Sequence, residues 1–296
     1  MTHTLIPLGK VINLKTIRTP ARIILAINQF SLDAPLAALA WQDLAGRMLH
    51  IELDWRPRLL LFAVTWLVYA GDRMLDAIRP GVIPSAISRH QFAVRHFRTL
   101  GFIWGIVFLS LICWMLAGRF LLDIIWPLGP ACLAALLLYY LLCEWQRAWR
   151  VRIPRELVVA AFFTLASLVS PVAMTEQFSG GVLLRFSIPC FVLASLNSIG
   201  ITTWEAQEDR STGEQTLGTR FPSLQLWYPN LVLICGFLLA FTESWFPEGS
   251  LNLAGAYLLT AIVLGILHSP TIPRELKPAL ADLSLMIPWL IVFNGI

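Results

Sequence analysis

Two pairs of acidic residues have a spacing suited to metal-dependent chemistry. Asp72 and Asp76 stand four residues apart in VYAGDRMLDAIRP (68–80), and Glu205 and Asp209 repeat that spacing in TTWEAQEDRSTGEQTLGTR (202–220). Residues i and i+4 share one face of a helix, so each pair would hold its carboxylates side by side. Mg²⁺ commonly takes one or two carboxylates together with substrate phosphate oxygens. We therefore predict that these four residues are catalytic and bind Mg²⁺. A solvated helix end is the alternative for either pair alone.

The elements that must position these acids are apolar. The 296-residue chain is 57% hydrophobic and 14% charged, and its mean hydropathy is +0.70. This composition predicts an integral membrane protein. Nucleic-acid binding is excluded because Lys and Arg fall in short clusters between apolar stretches, as in cytoplasmic loops. The five cysteines lack the spacing of a zinc site and are interpreted as packing residues.

The apolar stretches predict an all-α, polytopic fold with nine transmembrane helices. Each stretch holds about 20 mostly apolar residues, the length needed to cross the hydrocarbon of a bilayer. We expect a single integral membrane domain over 1–296, with a short cytoplasmic segment, 1–22, before the first span. The predicted spans are 24–48, 58–79, 98–118, 121–144, 156–175, 182–206, 224–245, 251–268 and 275–295.

The basic residues predict the orientation of these spans. All but five of the 22 Lys and Arg residues fall in the N-terminal segment and in the loops on its side. The exceptions are Arg47, Arg56, Arg58, Arg119 and Arg185. Cytoplasmic loops carry an excess of basic residues, so we expect a multi-pass protein of the inner (plasma) membrane with a cytoplasmic N-terminus and the C-terminus on the opposite side. Both acidic pairs then lie at cytoplasmic helix ends, those of the second and sixth spans.

The two acidic segments resemble those of the UbiA superfamily of intramembrane prenyltransferases. That family has nine helices, with NxxxDxxxD at the end of the second and DxxxD followed by Gly and Thr-Leu at the end of the sixth. Asp72 and Asp76 match the acids of the first motif, and ExxxDRxxGxxTL, from Glu205 to Leu217, is similar to the second. Val68 stands where the family has Asn, and Glu205 stands where Asp is usual.

The resemblance implies a fold, an activity and further site residues. The fold is a UbiA-like bundle. The activity is Mg²⁺-dependent transfer of an isoprenyl group from an allylic isoprenyl diphosphate to a lipophilic, aromatic acceptor molecule within the lipid bilayer. Arginines suit the diphosphate because their planar fork binds phosphate oxygens in pairs. The predicted diphosphate-binding residues are Arg73, Arg147, Arg150 and Arg210. Positive-inside topology alone is the alternative explanation of the loop arginines.

Polar residues within the predicted spans form a third set of candidate site residues. Such groups face the bundle interior or a wet cavity, because lipid would leave them unsatisfied. Asn197, Asp33 and Asp282 are candidates for lining a substrate cavity. Asn197 precedes Glu205 by eight residues, about two turns deeper on nearly the same helix face. Contacts between helices are the alternative role for each of them.

Two other functions are compatible with these residues. A UbiA-type terpene cyclase would capture the allylic cation with the substrate's own double bond, giving a hydrocarbon or alcohol from the diphosphate alone. A non-catalytic transporter or lipid-binding relative would keep the fold and move or bind its ligand without releasing diphosphate. Val68 favours this last alternative, since valine has no oxygen for a metal or its water shell.

Overall fold

The computed structural model describes residues 19–78, 88–117, 154–175, 180–246 and 249–295, and all regular structure within these ranges is helical. The all-α prediction is therefore confirmed for this part of the chain. The predicted span at 121–144, together with Arg147 and Arg150, lies outside the described residues. The helices are α1 (Thr19–Gln29), α2 (Asp33–Met48), α3 (Trp55–Ile78), α4 (Ser88–Arg95), α5 (Phe97–Ala117), α6 (Arg155–Met174), α7 (Gly180–Thr212), α8 (Leu217–Arg220), α9 (Leu224–Trp245), α10 (Leu251–Leu267), α11 (Lys277–Ser284) and α12 (Ile287–Gly295).

Several of these helices are long and apolar enough to cross a membrane. Four of them, α5, α6, α7 and α9, meet that description by themselves, and the pair α1 and α2 makes a fifth span if it is counted as one. Helix α5 leaves large apolar side chains such as Phe102 and Leu116 exposed, 70% and 75% respectively. Apolar surface of this extent is what a lipid-facing helix presents. These features mark the chain as a helical membrane protein.

The first and last predicted spans are each broken, so their expected continuous helices are wrong. Helices α1 and α2 meet at 87°. Ser31 has a φ of 58° at this bend, and polar side chains on both sides of it find hydrogen-bond partners there. The last span starts with a 3₁₀ turn, Arg274–Leu276, and breaks again between α11 and α12 at Leu285 and Met286.

The core lies between α2, α6, α7, α9 and α10. Trp41 of α2 is 1% exposed and packs against Phe186 of α7 edge-on, with ring centroids 5.6 Å apart. Helices α9 and α10 approach closely at Gly236, where an added Cβ would stand 2.3 Å from the Cβ of Ala261. Small residues at such crossings let membrane helices pack by van der Waals contact. This packing fixes α7, the helix that carries the second acidic segment (202–220).

A buried ion pair joins α7 to α9 at the end of the bundle opposite to Asp209. Arg185 donates from Nε and Nη2 to the carboxylate of Glu243, at distances of 2.5 to 3.1 Å. The Glu243 side chain is 1% exposed and also accepts from the backbone N–H of Ser250, which caps α10. The pair therefore links three helices, and both charges have little contact with solvent.

Candidate functional site

The first acidic segment (68–80) is connected to the second through Arg155. Asp72, near the end of α3, accepts a hydrogen bond from Arg155 Nη2 at 2.8 Å. Arg155 Nη1 lies 3.7 Å from Glu214 Oε2, in the loop that follows α7. Arg155 itself begins α6. One guanidinium thus bridges the ends of α3 and α7, and both acidic segments lie at the same end of the bundle.

The glycine of the second acidic segment ends α7. Gly213 has a φ of +77°, a conformation that glycine adopts without the steric cost of a Cβ. The Gly213 N–H donates to the carbonyl of Arg210 at 3.3 Å, and the Glu214 N–H donates to the carbonyl of Asp209 at 2.8 Å. This is a Schellman termination, and it turns Glu214 back over the helix end.

The Thr-Leu of the second acidic segment fixes Asp209 and anchors the loop. Thr216 Oγ1 donates to Asp209 Oδ2 at 2.9 Å, and the same hydroxyl caps α8. The Leu217 N–H donates to Glu156 Oε1 at 2.7 Å, and Glu156 is only 3% exposed. Glu156 follows Arg155 directly. Two consecutive residues of α6 therefore hold the loop of the second acidic segment.

We expect Gly218→Ala to lower the free energy of unfolding by about 2 kcal/mol, the usual scale for overpacking. A Cβ at Gly218 would stand 2.1 Å from the carbonyl oxygen of Thr202, so α8 would have to move away from α7. Denaturant unfolding of the purified protein measures the change. Gly105→Ala is the control, since nothing lies within 4 Å of its added Cβ and helix propensity favours alanine. Equal stability of the two variants would contradict the expectation.

Arg73 and Asp33 belong to the bend between α1 and α2. Arg73 donates to the carbonyl oxygen of Asn28, and its Nη2 lies 4.0 Å from Asp33 Oδ1. Asp33 is fully buried and accepts from Asn28 Nδ2 at 2.5 Å. The structure thus ties α3 to the bend through Arg73. Asp33 is turned to these donors, and its role in lining a substrate cavity stays a prediction.

The remaining predicted residues lie at the same end of the bundle. Glu205 is 7% exposed, Asp76 is half-buried and Arg210 is exposed. Within the described ranges, no three His, Cys, Asp or Glu side chains converge as a group that would hold a metal ion. Pairs of carboxylates fit Mg²⁺ that takes its other ligands from phosphate and water.

No protein-family model matches the chain, and no curated protein or solved structure matches it significantly. The resemblance to the UbiA superfamily consequently rests on the residues of the two acidic segments.

A cluster of cations and rings lies beside the second acidic segment. Trp204 Nε1 donates to His268 Nδ1 at 3.1 Å, and Lys277 Nζ lies 5.6 Å from the centre of the Trp204 ring. Burial, followed by the charge of Lys277, lowers the pKa of His268 below its ordinary value of 6.5, although a hydrogen bond to the Gln225 backbone opposes this. Burial and the charge of Arg274 lower the pKa of Lys277. The cluster therefore favours a neutral imidazole.

This lowered pKa predicts that the folded protein loses stability in mild acid. The unfolded chain protonates His268 more readily than the folded protein does, so the contribution is complete above about pH 6.5 and is lost as the pH falls toward the lower folded value. Thermal unfolding between about pH 7.5 and pH 5.5 measures it. His268→Gln keeps an acceptor for Trp204 and should show a smaller fall in melting temperature. An equal fall in both proteins would contradict the expectation.

A small, partly open cavity of about 10 Å³, enough for about one water molecule, lies between α2, α3, α6, α7 and α11. We call it the Asn197 cavity. Its walls are Ala34, Ala37, Tyr69, Val159, Ala160, Phe163, Ala194, Asn197, Ser198, Asp282 and Leu285. Tyr69 precedes Asp72 by three residues and so lies on nearly the same face of α3, one turn deeper. The cavity therefore begins close to the acidic end of the bundle.

Sequence reasoning missed the parts played by Arg155, Glu156 and Glu214. Arg155 is one of four arginines in a short stretch, and its type and spacing do not distinguish it from the others. Glu156 carried a weak signal, because an acid at the edge of an apolar span needs a partner. Glu214 lies inside the motif that resembles the family pattern, at a position that the pattern leaves unspecified.

Proposed function

We propose that the protein is a Mg²⁺-dependent prenyltransferase of the UbiA type. It would move an isoprenyl group from an allylic diphosphate to a lipophilic, aromatic acceptor molecule within the bilayer. The observation that carries this proposal is the bridge from Asp72 through Arg155 to Glu214, which holds both acidic segments at one end of the bundle. The proposal includes the nine-span topology in the inner membrane, with the N-terminus in the cytoplasm.

Arg155 supports the proposal by its exposure as well as its position. Its side chain is 38% exposed, so it is accessible to a ligand that approaches between the two acidic segments. A guanidinium binds diphosphate oxygens with the same fork that it offers to carboxylates. Arg210 is exposed at the same helix end, and Arg147 and Arg150 stay proposed diphosphate-binding residues. Arg73 would have to release the carbonyl of Asn28 to join them.

The chemistry divides between the acidic end and the apolar helices next to it. Asp72, Asp76, Glu205 and Asp209 would hold Mg²⁺, which would supply charge neutralisation for the leaving diphosphate. The carbon–oxygen bond of the substrate breaks and the diphosphate keeps the electron pair; a carbon of the isoprenyl acceptor then forms the new bond and loses a proton. Buried apolar side chains such as Phe163 and Leu285 would keep water from the allylic cation.

The proposal is tested with purified wild-type protein in lipid nanodiscs. The protein is incubated with Mg²⁺, isoprenyl diphosphates of graded chain length and single-ring phenols, and released diphosphate is measured with and without EDTA. We expect release that requires both Mg²⁺ and a phenol. Release without any phenol, with a hydrocarbon or alcohol product, would show a cyclase instead. No release with any chain length would support the non-catalytic relative that Val68 favours.

A further inference from the structure

Asn197 carries a buried oxygen without a hydrogen-bond partner. Asn197 is 6% exposed, and its Nδ2 donates to Asp282 Oδ1 at 2.6 Å. Its Oδ1 accepts from no donor in the part of the chain that the structure describes. The amide orientation follows from chemistry, because exchanging its two ends would place Oδ1 against a carboxylate oxygen. Native proteins rarely keep a buried acceptor unpaired, so this oxygen indicates a bound group.

The size of the Asn197 cavity limits what that group is. The cavity has room for about one water molecule, which excludes an organic ligand. Mg²⁺ does not fit either, because it dehydrates reluctantly and usually keeps several waters. Ca²⁺ takes about six to eight oxygen ligands, more than so small a cavity brings together. A single water molecule and a monovalent cation without its water shell are the groups of the right size.

The polar lining of the cavity consists of oxygen ligands. Asn197 supplies an amide oxygen, Asp282 supplies a carboxylate, and Ser198 and Tyr69 supply hydroxyls. Hard cations prefer oxygen ligands of these kinds. A carboxylate has about four lone-pair sites, so Asp282 can accept from Asn197 and bind a cation at the same time. The lining therefore suits a hard monovalent cation.

The two broken spans meet at this cavity. Ala34 lines it directly after the bend between α1 and α2, and Leu285 lines it at the break between α11 and α12. Helices that are interrupted within a membrane commonly bind small cations at their carbonyl ends, which carry partial negative charge. The amide end of α2 is already occupied by Asp33, whose Oδ1 accepts from the Ala34 N–H at 3.1 Å. The helix ends therefore favour a cation over an anion.

The charges around the cavity also favour a cation over a water molecule. Asp282, Asp33 and Asp72 are close enough to act on the Tyr69 hydroxyl, and the positive charge that acts there belongs to Arg73. A water molecule would satisfy the amide oxygen and leave the charge of the acids unchanged. A cation satisfies the same oxygen and also offsets part of that charge, which matters at low dielectric.

We propose that the Asn197 cavity binds one Na⁺ without its water shell, through Asn197 Oδ1 and the carboxylate of Asp282. Ser198 and Tyr69 supply further oxygen ligands. The ion links α7 to α11 and stabilises the arrangement of the two broken spans. This site is separate from the acidic segments, since Asn197 lies about 12 Å from Glu205 along α7, from the 1.5 Å rise over eight residues. It does not depend on prenyl transfer.

The test measures thermal unfolding of full-length wild-type protein in detergent. Chloride salts of Na⁺, K⁺ and N-methylglucamine are compared at constant ionic strength, with and without saturating Mg²⁺. We expect the melting temperature to rise by about 3 °C for each tenfold increase in Na⁺ above its dissociation constant. K⁺ is larger and should give less than about 1 °C. The Na⁺ effect should persist in Mg²⁺, which binds the acidic segments instead.

Three outcomes of this comparison would overturn the proposal. Equal melting temperatures in Na⁺ and N-methylglucamine would leave water as the bound group. An equal rise in K⁺ would contradict a site of this small size. Loss of the Na⁺ effect in saturating Mg²⁺ would place the Na⁺ at the acidic segments and not in the cavity.

Two variants assign the effect to the cavity. Asp282→Asn removes the charge and Asn197→Leu removes the unpaired oxygen, and both nearly keep the side-chain size. Each should reduce the rise in melting temperature with Na⁺ to less than about a third of the wild-type rise. Asp54→Asn, at an exposed acid, is the control and should keep the whole rise. A full rise in Asp282→Asn or Asn197→Leu would also overturn the proposal. The salt comparison uses wild-type protein, so a variant that fails to fold leaves the test intact.

Discussion

Asp72→Asn and Asp209→Asn are each expected to reduce Mg²⁺-dependent diphosphate release by at least about a hundredfold, the scale of losing one preorganised charge contact in a transition state. Asparagine has nearly the same shape as aspartate, and its amide oxygen still accepts from Arg155 or from Thr216. The substitutions therefore remove charge and largely preserve packing. Initial rates at saturating isoprenyl diphosphate and Mg²⁺ measure the loss.

Asp54→Asn is the matched control for this change. Asp54 lies at the other end of α3, its side chain is 42% exposed, and it accepts from the backbone N–H of Arg56 at 2.9 Å. Asparagine caps helices about as well as aspartate, so this variant should keep both stability and rate. If Asp72→Asn and Asp209→Asn release diphosphate as fast as Asp54→Asn, the acidic segments do not act on the reacting ligand.

Glu243→Gln is expected to cause the largest loss of stability, about 3 to 5 kcal/mol, because it leaves a buried charge without its counterion. Arg185 is 10% exposed and directs three hydrogen bonds at this carboxylate. The glutamine amide has one oxygen in place of two and no charge. Unfolding of the purified protein by graded SDS, followed by far-ultraviolet circular dichroism, measures the change.

Two further variants separate burial from charge. Asp43→Asn breaks the ion pair between Asp43 and Arg58, whose side chains are respectively 19% and 44% exposed. This variant should lower the free energy of unfolding by less than about 1 kcal/mol. The double variant Arg185→Met with Glu243→Met removes both buried charges and should recover much of the loss, as buried pairs replaced by apolar residues often do. Comparable losses in Glu243→Gln and Asp43→Asn would show that burial does not determine the cost.

The helices were predictable wherever hydropathy is uniform. The span predicted at 224–245 coincides with α9, and 98–118 differs from α5 by one residue at each end. Hydrocarbon admits little other than helix for such stretches. The bend between α1 and α2 was not predictable, because hydropathy averages over it. Its polar groups are satisfied by Arg73 of α3, at least forty residues along the chain from Asn28 and Asp33.

The candidate site was predictable where it depends on residues that are close together in the chain. The i, i+4 acids depend only on helix geometry, and the glycine and threonine of the second acidic segment end one helix and begin another within eight residues of Asp209. The bridge through Arg155 depends on α6 packing between the ends of α3 and α7, which is a tertiary arrangement. Spacing along the chain contains no information on it.

Arg155 and Glu156 are neighbours of opposite charge, and they hold partners on different elements. Arg155 holds both acidic segments, and Glu156 holds the second of them at another point, Leu217, so both attachments depend on the first turn of α6. Inserting one residue between them would rotate one partner by about 100° relative to the other, given 3.6 residues per turn. The first turn of α6 thus keeps two distant parts of the chain in fixed relative positions. We therefore expect an insertion at this point to separate the two acidic segments.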